Sequence, residues 1–426
     1  MKKISLLVFV FCMFIACGDV AVKEDVEIDK TEEETKETKE TKERVDIELT
    51  KAEREMVNYN NEFAFEFFKK VHEVEKGEGN TFVSPLSLTL AFSMLNNGAA
   101  GETQKEIEET LGFAAYTTEE INDFYQKLME ASAEIDPLVT VETANSIWAH
   151  TGFPILQPFI DVNKKYYKAE IRNEDFALPA TVDKINQWVS DKTHEKITDI
   201  IKELDPDARV ALINALYFLG QWDLPFDKNN TQKEAFTNYD GTKTEVDMMN
   251  KVLEKAMYDN YGDYEALSLP YGNGAFYMQV VLPKKGKTIS DILASVDKRD
   301  FVHPNGPVSV REVFLKLPKF KSEYEIDLNE IMYDLGIKKA FGDADFSLLS
   351  NSQLAIGLVK QKAIIEVDEA GSEAAAATTI VMVQTSEFGD ETPTGPVKFH
   401  VDRPFLYMIR EFSTGTIFFM GEVNEF

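Results

Sequence analysis

Apolar and polar positions change rhythm along the chain. After Lys2 and Lys3, an apolar run from Ile4 to Ala16 is broken only by Ser5. Thirteen residues fall short of the roughly twenty a spanning helix needs, but suit the apolar core of an export signal. From Gly18 to Thr50 apolar residues are few, and 13 acidic residues stand against 6 basic ones with no aromatic. Such a stretch buries too little surface to offset its ordering entropy, which predicts a solvated tether; a mixed Glu/Lys surface helix is the alternative. From Lys51 onward the pattern is globular. Met56, Phe63, Phe65, Phe67, Phe68 and Val71 mark one face of an opening helix. Ser84-Pro85 opens a second helix carrying Leu88, Leu90, Ala91, Met94 and Leu95, and 102–111 reads as a third.

Strands are expected at 210–218, 275–282, 313–317 and 363–367. A C-terminal hairpin, 405–411 with 416–423, turns around Ser413-Thr414-Gly415. Helices gather in the first half and strands in the second, so the class is α+β rather than alternating βαβ. No Pro/Gly-rich linker divides 51–426. The domain organisation expected is therefore a signal over 1–16, an acidic tether over 17–50 and one domain over 51–426.

Charge narrows the partners. The 426 residues carry 45 basic and 74 acidic side chains, a net charge of −29, which disfavours nucleic acid and anionic lipid. The two cysteines are Cys12 and Cys17, so 51–426 holds neither a thiol nucleophile nor a disulfide. Phe14-Ile15-Ala16-Cys17-Gly18 resembles a bacterial lipoprotein cleavage site with Cys17 as the lipidated residue; an ordinary cleaved signal with an incidental cysteine is the alternative. The expected location is outside the cell's inner membrane, lipid-anchored at the outer membrane or otherwise secreted. The five histidines lack metal-ligand spacing, and His194-Glu195 is not completed into a zinc motif because Thr198 holds the second histidine's place. No G-x-S-x-G elbow is present. Neither an enzyme, nor a metal site, nor a cofactor is expected.

Residues 369–386, EAGSEAAAATTIVMVQTS, mix helix-forming alanines with strand-forming Thr, Ile and Val, and hold one charge after Glu369. As a strand, one face would show Ser372, Ala374, Ala376, Thr378, Ile380 and Met382, small at first and then apolar. Such a strip is fit to enter a sheet over a packed core. On the residues alone, an Ala-rich surface helix followed by an edge strand reads equally well.

The chain from 51 to 426 resembles the serpins. Asn80-Thr-Phe-Val-Ser-Pro-Leu-Ser87, Asn214-Ala-Leu-Tyr-Phe-Leu-Gly-Gln-Trp222, Leu317-Pro-Lys-Phe320, Asp402-Arg-Pro-Phe405 and Phe419-Met-Gly421 carry the resemblance in order. Gly371-Ser-Glu-Ala-Ala-Ala-Ala377 resembles the hinge of inhibitory members. The resemblance implies helices around three β-sheets and an exposed reactive loop at about 371–397. It implies a single-use inhibitor: a serine or cysteine protease cuts the loop, forms its acyl-enzyme and is trapped as the loop inserts into the central sheet. Family spacing from Gly371 puts the scissile bond at Thr385-Ser386, with Met382 or Val383 as alternatives. The hinge would comprise Glu369, Gly371, Ser372, Glu373, Ala374, Ala375, Ala376 and Ala377.

Ser84, Ser87 and Asn214 match a polar cluster beneath the sheet, with Gln361 where the family usually has histidine; weakened or rearranged bonding is expected there. Lys319 and Glu369 match an ion pair at the top of the sheet beside Trp222. The implied partner is the target protease, with membrane contact only through Cys17 and a monomer in solution. No Lys or Arg occurs between Ser372 and Val397, so elastase-, subtilisin- or cathepsin-like enzymes are favoured over trypsin-like ones. Residues 117–136 hold Lys127 as their only basic residue, so activation by an anionic polymer is not expected. A non-inhibitory serpin-like binding protein is the alternative function; a hydrolase would need a site the sequence does not show.

Overall fold

The computed structural model describes residues 43–295, 309–372 and 395–426. The signal with Cys17, most of the tether, and the loop segment containing Glu373, Ala374, Ala375, Ala376, Ala377, Met382, Val383, Thr385 and Ser386 lie outside the described residues.

The opening helix, α1 (Lys51–Val74), begins where Thr50 and Glu53 cap each other: the Glu53 N–H donates to Thr50 Oγ1 at 3.2 Å and the Thr50 N–H to Glu53 Oε2 at 2.6 Å. The solvated tether does not run up to this cap. Ile47 and Leu49 are buried, the Ile47 N–H donates to Ser413 Oγ at 2.8 Å, and Arg44 lies over the Phe412 ring at 4.1 Å. Alternating apolar residues in Val45-Asp-Ile-Glu-Leu49 give this stretch a buried side despite its charges, so the packed part of the chain starts by Arg44.

Strand β1 (Thr81–Val83) leads into α2 (Pro85–Asn96), which is buried along its whole length, its small polar residues Ser87, Thr89, Ser93 and Asn96 included. Helices α3 (Gly101–Thr110), α4 (Thr118–Ala133), α5 (Gln157–Tyr167) and α6 (Pro179–Lys192) complete the helical first half. Between them run β2 (Val139–His150) and β3 (Glu170–Glu174).

The site depends on a six-stranded sheet in the order β10-β11-β12-β4-β2-β3. Its further members are β4 (Val210–Gln221), β10 (Phe320–Asp327), β11 (Ile356–Val367) and the two-residue β12 (Gly371–Ser372). Strand β4 and the 144–149 part of β2 are buried on both faces. Ile147, Leu212 and Phe218 belong to the main core with α1 and α2, while Trp148, Ala211 and Ile213 pack with Ile185 and Val189 of α6. That two-sided burial explains why Val210–Leu219 is apolar at every position but Asn214.

The other hydrogen-bonded assembly has nine strands. One part runs β1, β15 (Ile417–Val423), β14 (Phe405–Glu411), β8 (Phe276–Pro283) and β7 (Tyr264–Tyr271). The other contains β5 (Gln232–Thr237), β9 (Val310–Pro318) and β13 (Val397–His400). The long β6 (Lys243–Asn260) joins them: it pairs with β5 at its start, with β9 on both sides of a register shift between Leu253 and Ala256, and with β7 from Met257 onward. Where three sheets were expected, the described strands form two hydrogen-bonded sheets, because β6 pairs with both β7 and β9 and so joins what would be two of the three. Two short helices, α7 (Ile289–Ser295) and α8 (Asn329–Leu335), complete the described fold.

Candidate functional site: a seam between two parallel strands

Strands β4 and β11 are parallel neighbours from Ile356↔Val210 to Ile364↔Tyr217. Beyond that point they part, and β12 stands between them, antiparallel to both: Val367↔Ser372 on one side, Gly371↔Gln221 and Ser372↔Gly220 on the other. The chain enters this wedge through a tight reversal at 368–371. Asp368 Oδ1 accepts from the Ala370 N–H at 2.8 Å and the Gly371 N–H at 3.2 Å, and the Asp368 N–H donates to Gly371 O at 2.9 Å. Gly371 has φ +154°, and a Cβ there would lie 2.1 Å from Gly220 O, so only glycine fits so close to β4.

Sequence-expected residues surround the wedge. The Lys319 ammonium meets Glu369 Oε2 at 2.9 Å, and Thr231 Oγ1 donates to Glu369 Oε1 at 2.7 Å. Burial pushes the Glu369 carboxyl up, but the hydrogen bonds from Lys319 and Thr231 outweigh it and leave the group below its ordinary value. The Glu369 hydrogen bond raises Lys319 in turn, against a smaller effect of burial. Trp222 is buried, donates its indole N–H to Asp368 O at 3.0 Å and stacks on Tyr271 at 4.4 Å. The Tyr271 hydroxyl is 2.7 Å from Ser372 Oγ, and Ser372 is fully buried, so its side chain faces the core. Burial pushes the Tyr271 phenol well up, which keeps it neutral.

Six residues down β4, about 20 Å along the strand, lies the second group. Ser84 caps α2, its hydroxyl accepting from the Ser87 N–H at 3.2 Å and donating to Phe418 O at 2.6 Å. Asn214 Nδ2 bonds Ser87 Oγ and Asn145 Oδ1. Gln361 uses its whole side-chain amide: Oε1 accepts from the Ser84 N–H at 2.9 Å, and Nε2 donates to Ser84 O at 3.0 Å and to Asn214 Oδ1 at 2.7 Å. Both ends of the Gln361 amide therefore have partners within the cluster. All of these residues are buried, so each bond forms where an unmade one costs most.

Ser84, Ser87, Asn214 and Gln361 come together in one cluster, and Glu369, Lys319, Trp222, Gly371 and Ser372 in the other. Sequence reasoning missed Asn145, Thr231, Asp368 and Tyr271. Asn145 faces Asn214 directly in the β2–β4 register, which becomes readable only once 139–150 is known to be a strand. No group of three or more His, Cys, Asp or Glu among the described residues is arranged to hold a metal ion.

The model of the family described as "Serpin (serine protease inhibitor)" matches residues 58–426. Iripin-2 of Ixodes ricinus is 34% identical over 88% of this chain and 94% of its own length. An uncharacterised serpin-like protein of Methanosarcina acetivorans is 31% identical over 100% and 99%. Among solved structures, native tengpin, a thermophilic serpin, superposes with a TM-score of 0.78 at 28% identity, covering 91% of this chain and 97% of that one. Human thyroxine-binding globulin in complex with its hormone reaches the same TM-score at 28% identity, over 88% and 99%. The chain belongs to the serpin family, whose general activity is protease inhibition rather than catalysis.

Proposed function

We propose that this protein is a single-use inhibitor of serine proteases, and of cysteine proteases with a similar acyl-enzyme, which traps its target by inserting its cut loop between β4 and β11. The observation that carries this reading is β12. Continuing its register keeps the new strand antiparallel to both neighbours and sets Thr378 opposite both Asn214 and Gln361. Those two side chains now bond each other across the closed seam. The alternate residues Ala374, Ala376, Ile380 and Met382 fall on the face that buried Ser372 already turns to the core.

Insertion replaces one parallel pairing with two antiparallel ones, and a strand of fourteen residues would carry a tethered protease roughly 46 Å. The energy comes from ladder bonds unmade in the intact fold. A protease dragged that far loses the alignment of oxyanion hole and base, so its ester to the loop survives. The reactive bond is Thr385-Ser386, with Met382 or Val383 as secondary cuts; the small and β-branched residues there suit elastase-, subtilisin- or cathepsin-like pockets. The Lys319–Glu369 pair acts as the latch at the entry, and the Gln361–Asn214 cluster as the point that must open. In this reading the molecule works outside the inner membrane as a monomer, lipid-anchored through Cys17 and held off by its acidic tether, or otherwise secreted. Among the described residues no helix is long and apolar enough to cross a membrane.

Family membership alone does not separate inhibition from small-molecule transport, since a structural neighbour is a thyroxine-binding globulin. The hinge composition favours inhibition: Gly371 and Ser372 are seated in the seam, and the sequence continues Glu373-Ala-Ala-Ala-Ala377. Incubation with elastase, subtilisin, a cathepsin and trypsin, followed by denaturing electrophoresis, tests this. Complexes that survive SDS with the first three are expected. Complexes with trypsin alone would refute the target assignment, and clean cleavage without any adduct would refute inhibition.

A further inference from the structure

Away from the seam, three residues far apart in the sequence meet in one hydrogen-bonded line. His72 sits in the last turn of α1, Ser290 in the first turn of α7, and Glu422 on β15. His72 Nε2 lies 2.8 Å from Ser290 Oγ, and His72 Nδ1 lies 2.8 Å from Glu422 Oε2. Glu422 is fully buried, and its strand is paired on both sides, opposite Thr81 of β1 and Leu406 of β14. His72 is 8% exposed, whereas Ser290 is open to solvent. The hydroxyl is therefore reachable while the ring behind it is shielded.

The hydrogen bonds set the roles of the two ring nitrogens. A carboxylate only accepts, so the Glu422 bond is donated by His72 Nδ1–H; the other carboxylate oxygen, Oε1, has no hydrogen-bond partner. In the neutral ring this leaves the Nε2 lone pair facing Ser290, whose hydroxyl donates to it. Gly77, at φ +67°, lies against the ring and leaves no space for a side chain, since a Cβ there would be 2.9 Å from His72 Cε1. A serine within hydrogen-bond reach of an imidazole that a buried carboxylate orients is the arrangement that makes a hydroxyl nucleophilic. All three side chains stand on helices or a central strand, which hold such geometry better than loops.

We propose that Ser290 is an acyl-accepting nucleophile, with His72 as its general base and Glu422 as the residue that positions the ring, and that it reacts with small activated esters and organophosphorus fluorides. With an aryl acetate, Ser290 Oγ bonds to the acyl carbon while its proton passes to His72 Nε2. The tetrahedral centre then collapses, the bond to the aryl oxygen breaks, and the leaving oxygen takes the proton back from His72. The products are an acetyl ester on Ser290 and one phenol per chain. This chemistry needs neither cleavage nor insertion of the loop, so it goes beyond the inhibitory reading.

The full chain treated with p-nitrophenyl acetate and, separately, with a fluorophosphonate tests it, the adducts being mapped by peptide mass spectrometry. One adduct is expected, on Ser290, formed at least about 100-fold faster than on any other serine. Ser290→Ala, at an exposed position, should remove the burst of p-nitrophenol and leave the fold intact. His72→Gln should slow acylation of Ser290 about 100-fold, and the slowing of the wild-type reaction in heavy water, the mark of proton transfer to a base, should vanish. Glu422→Gln can turn its amide N–H toward Nδ1 and hold the wrong tautomer, so it should slow acylation at least about tenfold and shrink the heavy-water effect, which a purely structural role would not move. Adducts spread over many serines, no adduct on Ser290, or a His72→Gln variant that reacts as fast as wild type overturns the proposal. No protease enters the assay, so failure here is distinct from failure of the inhibitory reading.

Discussion

Gly371 is where the chain's conformational freedom is used most tightly. Its φ of +154°, and the 2.1 Å that would separate a Cβ from Gly220 O, leave an alanine no room. Gly371→Ala is expected to push β12 out of the seam, lowering stability in urea unfolding by roughly 1–3 kcal/mol and changing Trp222 fluorescence. An unchanged midpoint would show that β12 does not depend on this glycine. Its neighbour Ser372 is fully buried and bonded to Tyr271, so Ser372→Arg would place an unpaired charge in the core. That variant should be cut by the target protease yet form no stable adduct; inhibition equal to wild type would refute entry along this face.

At the entry, Glu369 is held below its ordinary value of 4.5 and Lys319 above its ordinary 10.5. A lowered carboxyl contributes stability that is complete above about pH 4.5 and lost as the pH falls through its folded value; a raised amine contributes below about 10.5 and loses it above. The latch is therefore intact across neutral pH and weakens only in acid or strong alkali. Glu369→Gln should flatten the acid limb of stability against pH. Because the Lys319 side chain is 37% exposed, the loss at pH 7 should be modest, about 0.5–1 kcal/mol.

Among the elements, α2 and β4 hold the seam closed from below through Asn214. Asn214→Ala would take one buried partner each from Gln361 Nε2, Ser87 Oγ and Asn145 Oδ1, leaving only the Gln361 bond to Ser84 O and the 3.4 Å bond from Ser87 to Asn145, which should cost about 1–3 kcal/mol by urea titration and speed loop entry. A variant as stable as wild type would mean that water replaces the amide. Elements with local signals were legible in the sequence. Helix α1 declares itself by its apolar face, α2 by Ser84-Pro85, and the β14–β15 hairpin by two apolar runs around Ser413-Thr414-Gly415. Strand β6 was not, because its burial follows neither a period of two nor one of 3.6; pairing to β5, β9 and β7 makes it a strand. The buried segment around Ile47 and Leu49 was masked by the charges between them. Motif residues gave Ser84, Ser87, Asn214 and Gln361, whereas Asn145 and Tyr271 reach the site through sheet register and stacking, which no local pattern encodes.

For the whole molecule, the central claim is that the intact fold is not the most stable arrangement of its own chain. Parallel pairing of β4 with β11 gives way at its upper end to a wedge already antiparallel on both sides, and the following residues are composed to extend it. In the proposed mechanism, cutting the loop frees that extension. Each added bond contributes about 0.5–1.5 kcal/mol, so a strand of ten or more residues shifts unfolding far beyond what any single substitution above does. The direct measurement is the apparent melting temperature of the intact protein beside the same protein cleaved once between 382 and 386. A rise of well over about 10 °C on cleavage is predicted. An unchanged or lower melting temperature would contradict the account, because no energy would then be available to carry a protease along the seam.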